Sequence, residues 1–412
     1  MEERCFTEKI ESMDGEAFVV GGWVRDHIRG VPECEWNDKD YVVTGLSETV
    51  FCALFPQAIK TGRAFPVYRM GIGGVQCEVA LARSETKSSR GYRGFTATFS
   101  PATTIEKDLY RRDTTINSIA ISLKTGNYID PYGGIADIEA RIIRATSLHF
   151  ADDPVRALRA ARQSAEMGFS IEAGTLRMMG RCREELTAEP KERLVAELGK
   201  TLAAPNPSLF FRNLRTARIL DATYPRIDAL IGRPQPPANH PEGDAFEHTM
   251  LAVDKSARLS DRTEVRFSVL AHDLGKTLTP DEELPRHREH DRLGLIALAD
   301  WNREMTLPGL WMKCARFAIA EHMRAPRIER PGSIADFIAR LEASPLGLDG
   351  IQAVILSDGK EIPNFLERYD EYLRAIHSVN GADAPPGLLG AQIGRWLHER
   401  RAKAISRVMR ER

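Results

Sequence analysis

The sequence predicts an α+β chain: a mixed-sheet head followed by an all-helical remainder. Three features point to it. Residues 16–150 alternate short runs of Val, Ile and aromatic residues with glycine turns, the pattern of short strands. From Asp153 onward, apolar residues recur at intervals of three and four, as in VRALRAARQSAEM (155–167) and LVAELGKTLAA (194–204), and strand signals stop. A proline-rich stretch, GRPQPPANHPEG (232–243), breaks the helical part and predicts a domain boundary there.

In chain order, AFVV (17–20) reads as the first strand and runs through Gly21-Gly22 into a helix over 22–30. DYVVTG (40–45) is the second strand, with a helix over 47–55 behind it. PVYRMG (66–71), VQCEVALA (75–82) and INSIAISL (116–123) supply further strands. The polar segment RSETKSSRGYRGF (83–95), with Arg83, Lys87, Arg90 and Arg93, reads as a mobile loop.

At 412 residues the chain exceeds one ordinary core, so several domains are expected. Hydrophobic content of 42% and charged content of 28% belong to a soluble globular protein. The net charge of −1 excludes a global positive field, so a polyanionic partner must be held by local patches. One such patch is the end of the chain, where Arg395, Arg400, Arg401, Lys403, Arg407, Arg410 and Arg412 face only Glu399 and Glu411; a solvated helical face fits it equally. The six cysteines are spaced for neither zinc nor a disulfide framework, which suits a reducing cytoplasm. The start, MEERCFTEKIESMDGE, lacks a signal peptide's apolar core. No run of about 18 apolar residues predicts a membrane span.

The chemistry begins at Asp38-Lys39-Asp40. Residues two apart in a strand share a face, so Asp38 and Asp40 are expected to project together. Two carboxylates on one face repel unless a hard cation such as Mg²⁺ lies between them. Glu78, among apolar residues on a neighbouring strand, offers a third acid, as a two-metal phosphoryl-transfer site requires. Alone, the pair also fits a solvated strand edge. Upstream, VVGGWVRD (19–26) strengthens the case: Gly21 and Gly22 let a phosphate approach the backbone at a helix start. Arg25 either contacts that phosphate or pairs with Asp26.

GGxVRD followed by a DxD strand resembles the nucleotidyltransferase head of bacterial CCA-adding enzymes and their poly(A) polymerase relatives, the class II branch of the polymerase-β-like superfamily. EVALAR (78–83), GYRGF (91–95), RRDTTINSIA (111–120), DPYGG (130–134) and DDPVRALRAAR (152–162) continue the resemblance in order, over roughly residues 16–330. It implies addition of C, C and A to the 3′ end of tRNA from CTP and ATP, with Mg²⁺ at Asp38 and Asp40 and Glu78 where the family often has a third acid. Arg112 and Asp113 match the ribose-recognising motif; Arg111-Arg112-Asp113 also fits a buried ion pair. The loop at 83–95 corresponds to one that switches the family from C to A addition, though Ser88-Ser89-Arg90 stands where glycine is usual.

In DDPVRALRAAR, Asp153 and Arg156 are three apart and expected on one helix face. A carboxylate accepts from a base amino group and a guanidinium donates to a neighbouring acceptor, the edge that C and A share. The resemblance makes this helix, with Arg159 and Arg162, an amino-acid template; here Asp152 replaces the usual Glu. An N-capped helix start with an i,i+3 ion pair is the plainer alternative. Trp23, where the family has a small residue, is a second departure.

Farther on stand His248 (FEHTM), His272-Asp273 (LAHDLGK), His287 and His290 (RHREH), His322 (AEHM) and Asp358 (LSDGK). His248, His272, Asp273 and Asp358 fit the H…HD…D order of HD-domain metallophosphohydrolases, whose mixed imidazole and carboxylate ligands suit a transition metal. The whole reads as a head (1–150), a helical neck (151–232), an HD domain (233–370) and a helical tail (371–412) that could contact tRNA.

Overall fold

The computed structural model of the chain describes residues 1–32, 38–62, 66–87, 95–238 and 240–410, without the side chains of 85–87 and 95–97. It forms two compact units, Met1–Leu194 with Arg212–Thr223, and Val195–Phe211 with Tyr224–Arg412.

The first unit holds a seven-stranded mixed sheet. Its strands are β1 (Glu16–Val20), β2 (Asp40–Thr44), β3 (Ile59–Thr61), β4 (Val67–Ile72), β5 (Val75–Leu81), then, past a separate hairpin of β6 (Arg83–Lys87) and β7 (Phe95–Phe99), β8 (Ala120–Ser122) and β9 (Tyr128–Ile129). The order across the sheet is β3-β4-β5-β2-β1-β8-β9. Only β2 and β5 run parallel among these pairs, with Asp40 opposite Glu78. β1 lies beside both β2 and β8, and Ala17–Val20 are buried, which is why that run is uniformly apolar.

The pleat sorts the residues. Tyr41, Tyr68 and Val79 share one face, covered by Phe6 and Ile10 of the helix Glu3–Glu11 and by Phe51 and Phe55. Phe18, Val20 and Val42 share the other, packed on Ile105 and Leu109 of the helix Ile105–Tyr110. Val20 pairs with Asp40, so the acid continues this second face at the point where the apolar core ends.

Two expectations change. INSIAISL is a strand only over Ala120–Ser122, because Thr115–Asn117 turns as a 3₁₀ helix with the Thr115 hydroxyl on Asp137. The segment 83–95 begins and ends in the β6–β7 ladder rather than in loop; its centre, with Arg90 and Arg93, lies outside the described residues.

The second unit is helical. Helices Ala245–Leu259, Thr263–Ala271, Gly309–Glu321, Pro331–Glu342 and Gly347–Ser357 surround a core that includes Val265, Val269, Ala318, Phe337, Ile338, Ile351 and Val354. The final helix, Ala391–Arg410, buries Ile405 in that core and leaves Arg395, Arg400, Lys403, Arg407 and Arg410 exposed. The proline-rich stretch lies within the second unit, tied down by Gln235 N–H to Gly243 O and Ala245 N–H to Arg233 O.

Candidate active sites

In the head, β1 ends at Gly21, whose φ of 78° favours glycine. A Cβ there would lie 3.8 Å from both an Asp40 carboxylate oxygen and an Arg112 guanidinium nitrogen, so three named residues converge on this turn. Gly22 starts the short helix Gly22–Ile28. Asp40 and Glu78 stand side by side on parallel strands. Asp38 precedes β2 and is exposed, and its charge reaches Asp40. Burial first, then the Glu78 and Asp38 charges, push the Asp40 carboxyl up to about 6 against the pull of Arg112. Carboxylates that raise one another in this way favour a cation between them.

Arg25 is corrected. Its guanidinium is buried and donates to both Asp26 oxygens at 3.0 Å and to Asn117 at 3.0 Å, the structural pairing rather than the phosphate contact. Arg112 and Asp113 have separate partners. Arg112 donates to Asp108 at 3.1 Å, and its buried Nε has no hydrogen-bond partner among the described residues. Asp113 accepts from Thr114 N–H at 2.8 Å, Asn117 at 3.2 Å, Gln163 at 3.2 Å and Arg159 at 2.9 Å. Burial would raise the Asp113 carboxyl, but Arg159 and these donors hold it well below the usual carboxylate range. Asp108, fully buried beneath Arg111 and Arg112, was missed; its spacing three and four residues before them was the available signal.

The helix Val155–Met167 begins after Asp153, whose backbone is extended at φ −106° and ψ 109°. Pro154 explains this, since the residue before proline is driven out of the helical region. Asp153 therefore does not share a helix face with Arg156. It accepts from Val155 N–H at 3.1 Å and from Arg193 at 2.9 Å, and Arg193, which sequence reasoning missed, brings it Glu189 as neighbour. Arg156 donates to His149 O at 2.6 Å, Arg159 holds Asp113, and Arg162 pairs with Glu166. Trp23 stacks on His27 with ring centroids 5.4 Å apart, and Lys39 Nζ lies 4.7 Å from its ring.

The histidine centre belongs to the second unit. His248 lies on the helix Ala245–Leu259, His272 and Asp273 end the helix Thr263–Ala271, and Asp358 ends the helix Gly347–Ser357. His248, His272 and Asp273 are buried, Asp358 is half-buried with its side chain turned inward, and the four meet: His248 Nε2 is 3.1 Å from Asp358 Oδ1 and 3.6 Å from Asp273 Oδ2. His272 Nε2 is 3.2 Å from Asp273 Oδ2 and 3.7 Å from Asp358 Oδ1, yet makes no aligned hydrogen bond.

The outer nitrogens fix the rings. His248 Nδ1 faces Glu242 at 2.7 Å and His272 Nδ1 faces Val269 O at 2.6 Å; both partners only accept, so Nδ1 carries the proton and Nε2 points inward. Burial disfavours a charged His272, but Asp273 and Asp358 overcome it and raise the ring to about 10. Two buried carboxylates thus require positive charge at this point, which a metal cation supplies equally well. Nitrogen and oxygen donors together fit a borderline transition ion.

Of the remaining histidines, His287 turns away to Thr279 and to Pro234 O, whereas His290 and His322 approach Asp273. Burial and the neighbouring His272 charge lower His322 to about 3.

A mixed sheet that gathers acids beside a glycine turn, on one chain with an H…HD…D centre, defines a nucleotidyltransferase carrying an HD domain. The comparisons agree. Residues 17–144 match the "Poly A polymerase head domain", 168–231 the "Probable RNA and SrmB- binding site of polymerase A", and 245–356 the "HD domain". A multifunctional CCA protein of Methylococcus capsulatus is 39% identical over 95% of each chain. One of Xanthomonas campestris pv. campestris is 37% identical over 94% of this chain and 98% of its own. The chain belongs to the family of multifunctional CCA proteins. A CCA-adding enzyme solved with ATP shares the fold at TM-score 0.64 and 21% identity, covering 98% of this chain and 90% of that one. Another, solved with CTP, gives TM-score 0.60 and 20% identity over 98% and 90%. Among the described residues, no helix is long and apolar enough to cross a membrane.

Proposed function

We propose that this chain adds C, C and A to the 3′ end of tRNA from CTP and ATP, and that its HD centre separately hydrolyses phosphoesters. The convergence of Asp40 and Arg112 on the Gly21 turn, with Glu78 opposite Asp40 on the parallel strand, carries the first part. Asp38, Asp40 and Glu78 would hold Mg²⁺, which when bound supplies Lewis-acid stabilisation and lowers the pKa of an attacking 3′-hydroxyl. Gly21 leaves room for the triphosphate, and Arg112, held by Asp108, presents its guanidinium beside Asp40. Asp113 acts at a distance by anchoring Arg159 at the start of the base-reading helix.

Asp153 and Arg156 offer an acceptor and a donor at that helix start. The amino group and adjacent acceptor of C and of A match this edge, while U and G present the reverse. Residues 1–150 form the catalytic head, 151–232 the neck, 233–370 the HD domain and 371–412 a tail whose exposed arginines suit tRNA phosphates in the cytoplasm. In the HD domain, His248, His272, Asp273 and Asp358 would hold a transition metal that activates water.

The test uses tRNA transcripts ending before, within and after CC, each incubated with single NTPs. Stepwise C, C, then A incorporation is expected. Homopolymeric A on every transcript would instead indicate a poly(A) polymerase, and incorporation stopping at one stage a partial adding enzyme.

A further inference from the structure

The second unit has a groove of about 960 Å³, and none of His248, His272, Asp273 and Asp358 lines it. It is bordered by the helices His290–Met305, Gly309–Glu321 and Pro331–Glu342, with Leu295, Phe317 and Pro345 in its apolar lining. Lys313, Arg316, Phe317 and Ala320 stand at i, i+3, i+4 and i+7, so one face of the helix Gly309–Glu321 sets two cations beside an aromatic ring. The Phe317 ring is packed on the core and meets Phe337 edge-on, with centroids 5.8 Å apart, which holds it in place.

The charges in the lining are unequally engaged. Glu321, 2% exposed, accepts from Arg324 at 3.1 Å and from Arg340 at 2.5 Å. Glu342 faces His377 Nε2 at 2.9 Å. Both acids are therefore already partnered. Lys313 and Arg316 are exposed, and among the described residues neither side chain has an ion pair or a hydrogen bond. Arg340 keeps a side chain that is 48% exposed despite its bond to Glu321. The groove thus joins an apolar floor to cations that lack an anion.

We infer that this groove is a binding site for a nucleoside phosphate, with Lys313 and Arg316 on the phosphates and the base laid against Phe317 and Leu295. The volume falls within the range of small-molecule sites, about 300–1,000 Å³. A nucleoside phosphate carries a flat apolar ring and a multiple negative charge on one small molecule, which is the pairing the lining presents. Duplex RNA would offer phosphates and 2′-hydroxyls to the cations but nothing to the apolar floor. The site needs no metal, because its anion partners are protein cations. It is therefore separate in kind from the acids of the head and from the histidine centre.

The test is equilibrium dialysis of the full chain against ATP in EDTA, where neither of those sites can hold a divalent ion. Lys313→Glu with Arg316→Glu should remove one bound ATP per chain. Both side chains are exposed and unpaired, so the variant should fold, and with Mg²⁺ restored its CTP incorporation into tRNA should match the parent's. Adenosine should bind at this site at least roughly tenfold more weakly than ATP, for want of the charge-assisted contacts. On the parent, which needs no substitution, 8-azido-ATP should label the helix Gly309–Glu321. Equal ATP binding by parent and variant, or labelling confined to the first unit, would overturn the site. Equal ATP binding with tRNA affinity lost in a gel shift would assign the two cations to RNA phosphates instead. Adenosine held as tightly as ATP would remove the cations from the recognition.

Discussion

Replacing Asp153 with Ala is the most informative perturbation of nucleotide choice. In the structure Asp153 accepts from Val155 N–H and from Arg193. Loss of the first removes a helix-start cap, which costs about 1 kcal/mol. Loss of the second leaves Arg193 with Glu189, 2.9 Å away, so no guanidinium is stranded. The variant should therefore fold, and its kinetics can be read as recognition. Removing the acceptor for the base amino group forfeits a hydrogen bond of about 1–3 kcal/mol. Discrimination of CTP and ATP over UTP and GTP should then fall by roughly one to two orders of magnitude. Asp153→Asn sharpens the test: its amide can donate to O4 of U or O6 of G, so misincorporation should rise further than with Ala. Single-nucleotide addition with all four NTPs, on tRNA lacking CCA, reads both. If Asp153→Ala slows all four equally and keeps the C and A preference, the residue is only a cap, and the reasoning fails.

Asp38→Ala or Asp40→Ala should abolish nucleotide incorporation while tRNA binding by gel shift largely survives; near-normal incorporation by either would remove the metal assignment in the head. His272→Ala with Asp273→Ala should eliminate metal-dependent hydrolysis of 2′,3′-cyclic nucleotides and leave CCA addition at its normal rate, and a parallel loss of both would refute separate sites. Asp108 and Asp113 are held below the ordinary carboxylate pKa of about 3.9. Their stabilisation is thus full above about pH 4 and lost as pH falls below it; Asp113→Asn should flatten that acid limb in thermal melts, and an unchanged limb would argue against the pairing. Gly275→Ala should destabilise the second unit by several kcal/mol, because a Cβ 1.8 Å from His290 O forces backbone apart; an unchanged melting temperature would contradict the packing.

Much of the head was legible because branched and aromatic residues alternate with glycine, and AFVV, DYVVTG and VQCEVALA became β1, β2 and β5. Their parallel or antiparallel sense was not, since pairing depends on connections distant in sequence. Glu78 was expected on a neighbouring strand and stands opposite Asp40 in the parallel pair, whereas Asp38 lies just before β2. The β6–β7 hairpin was hidden by its polarity: RSETK carries no apolar alternation that would announce a strand. Asp153 was misplaced although Pro154 signalled an extended residue before it. The helix pattern outweighed a local rule that decides the backbone.

The histidine centre shows a different limit. The order of His248, His272, Asp273 and Asp358 was readable, but which ring nitrogen faces inward depends on Glu242 and on backbone carbonyls that no spacing reveals. Those outer contacts decide the chemistry. In the head, the possible ligands beside Asp40 are carboxylates, a donor set that favours a hard ion such as Mg²⁺. In the second unit, backbone and Glu242 contacts turn imidazole nitrogens onto two buried carboxylates, a set that favours a transition ion. On the proposed reading, ligand softness would let one chain sort two kinds of metal. A transition ion would enter the histidine centre first even in excess Mg²⁺, and the head would keep the ion its phosphoryl chemistry needs.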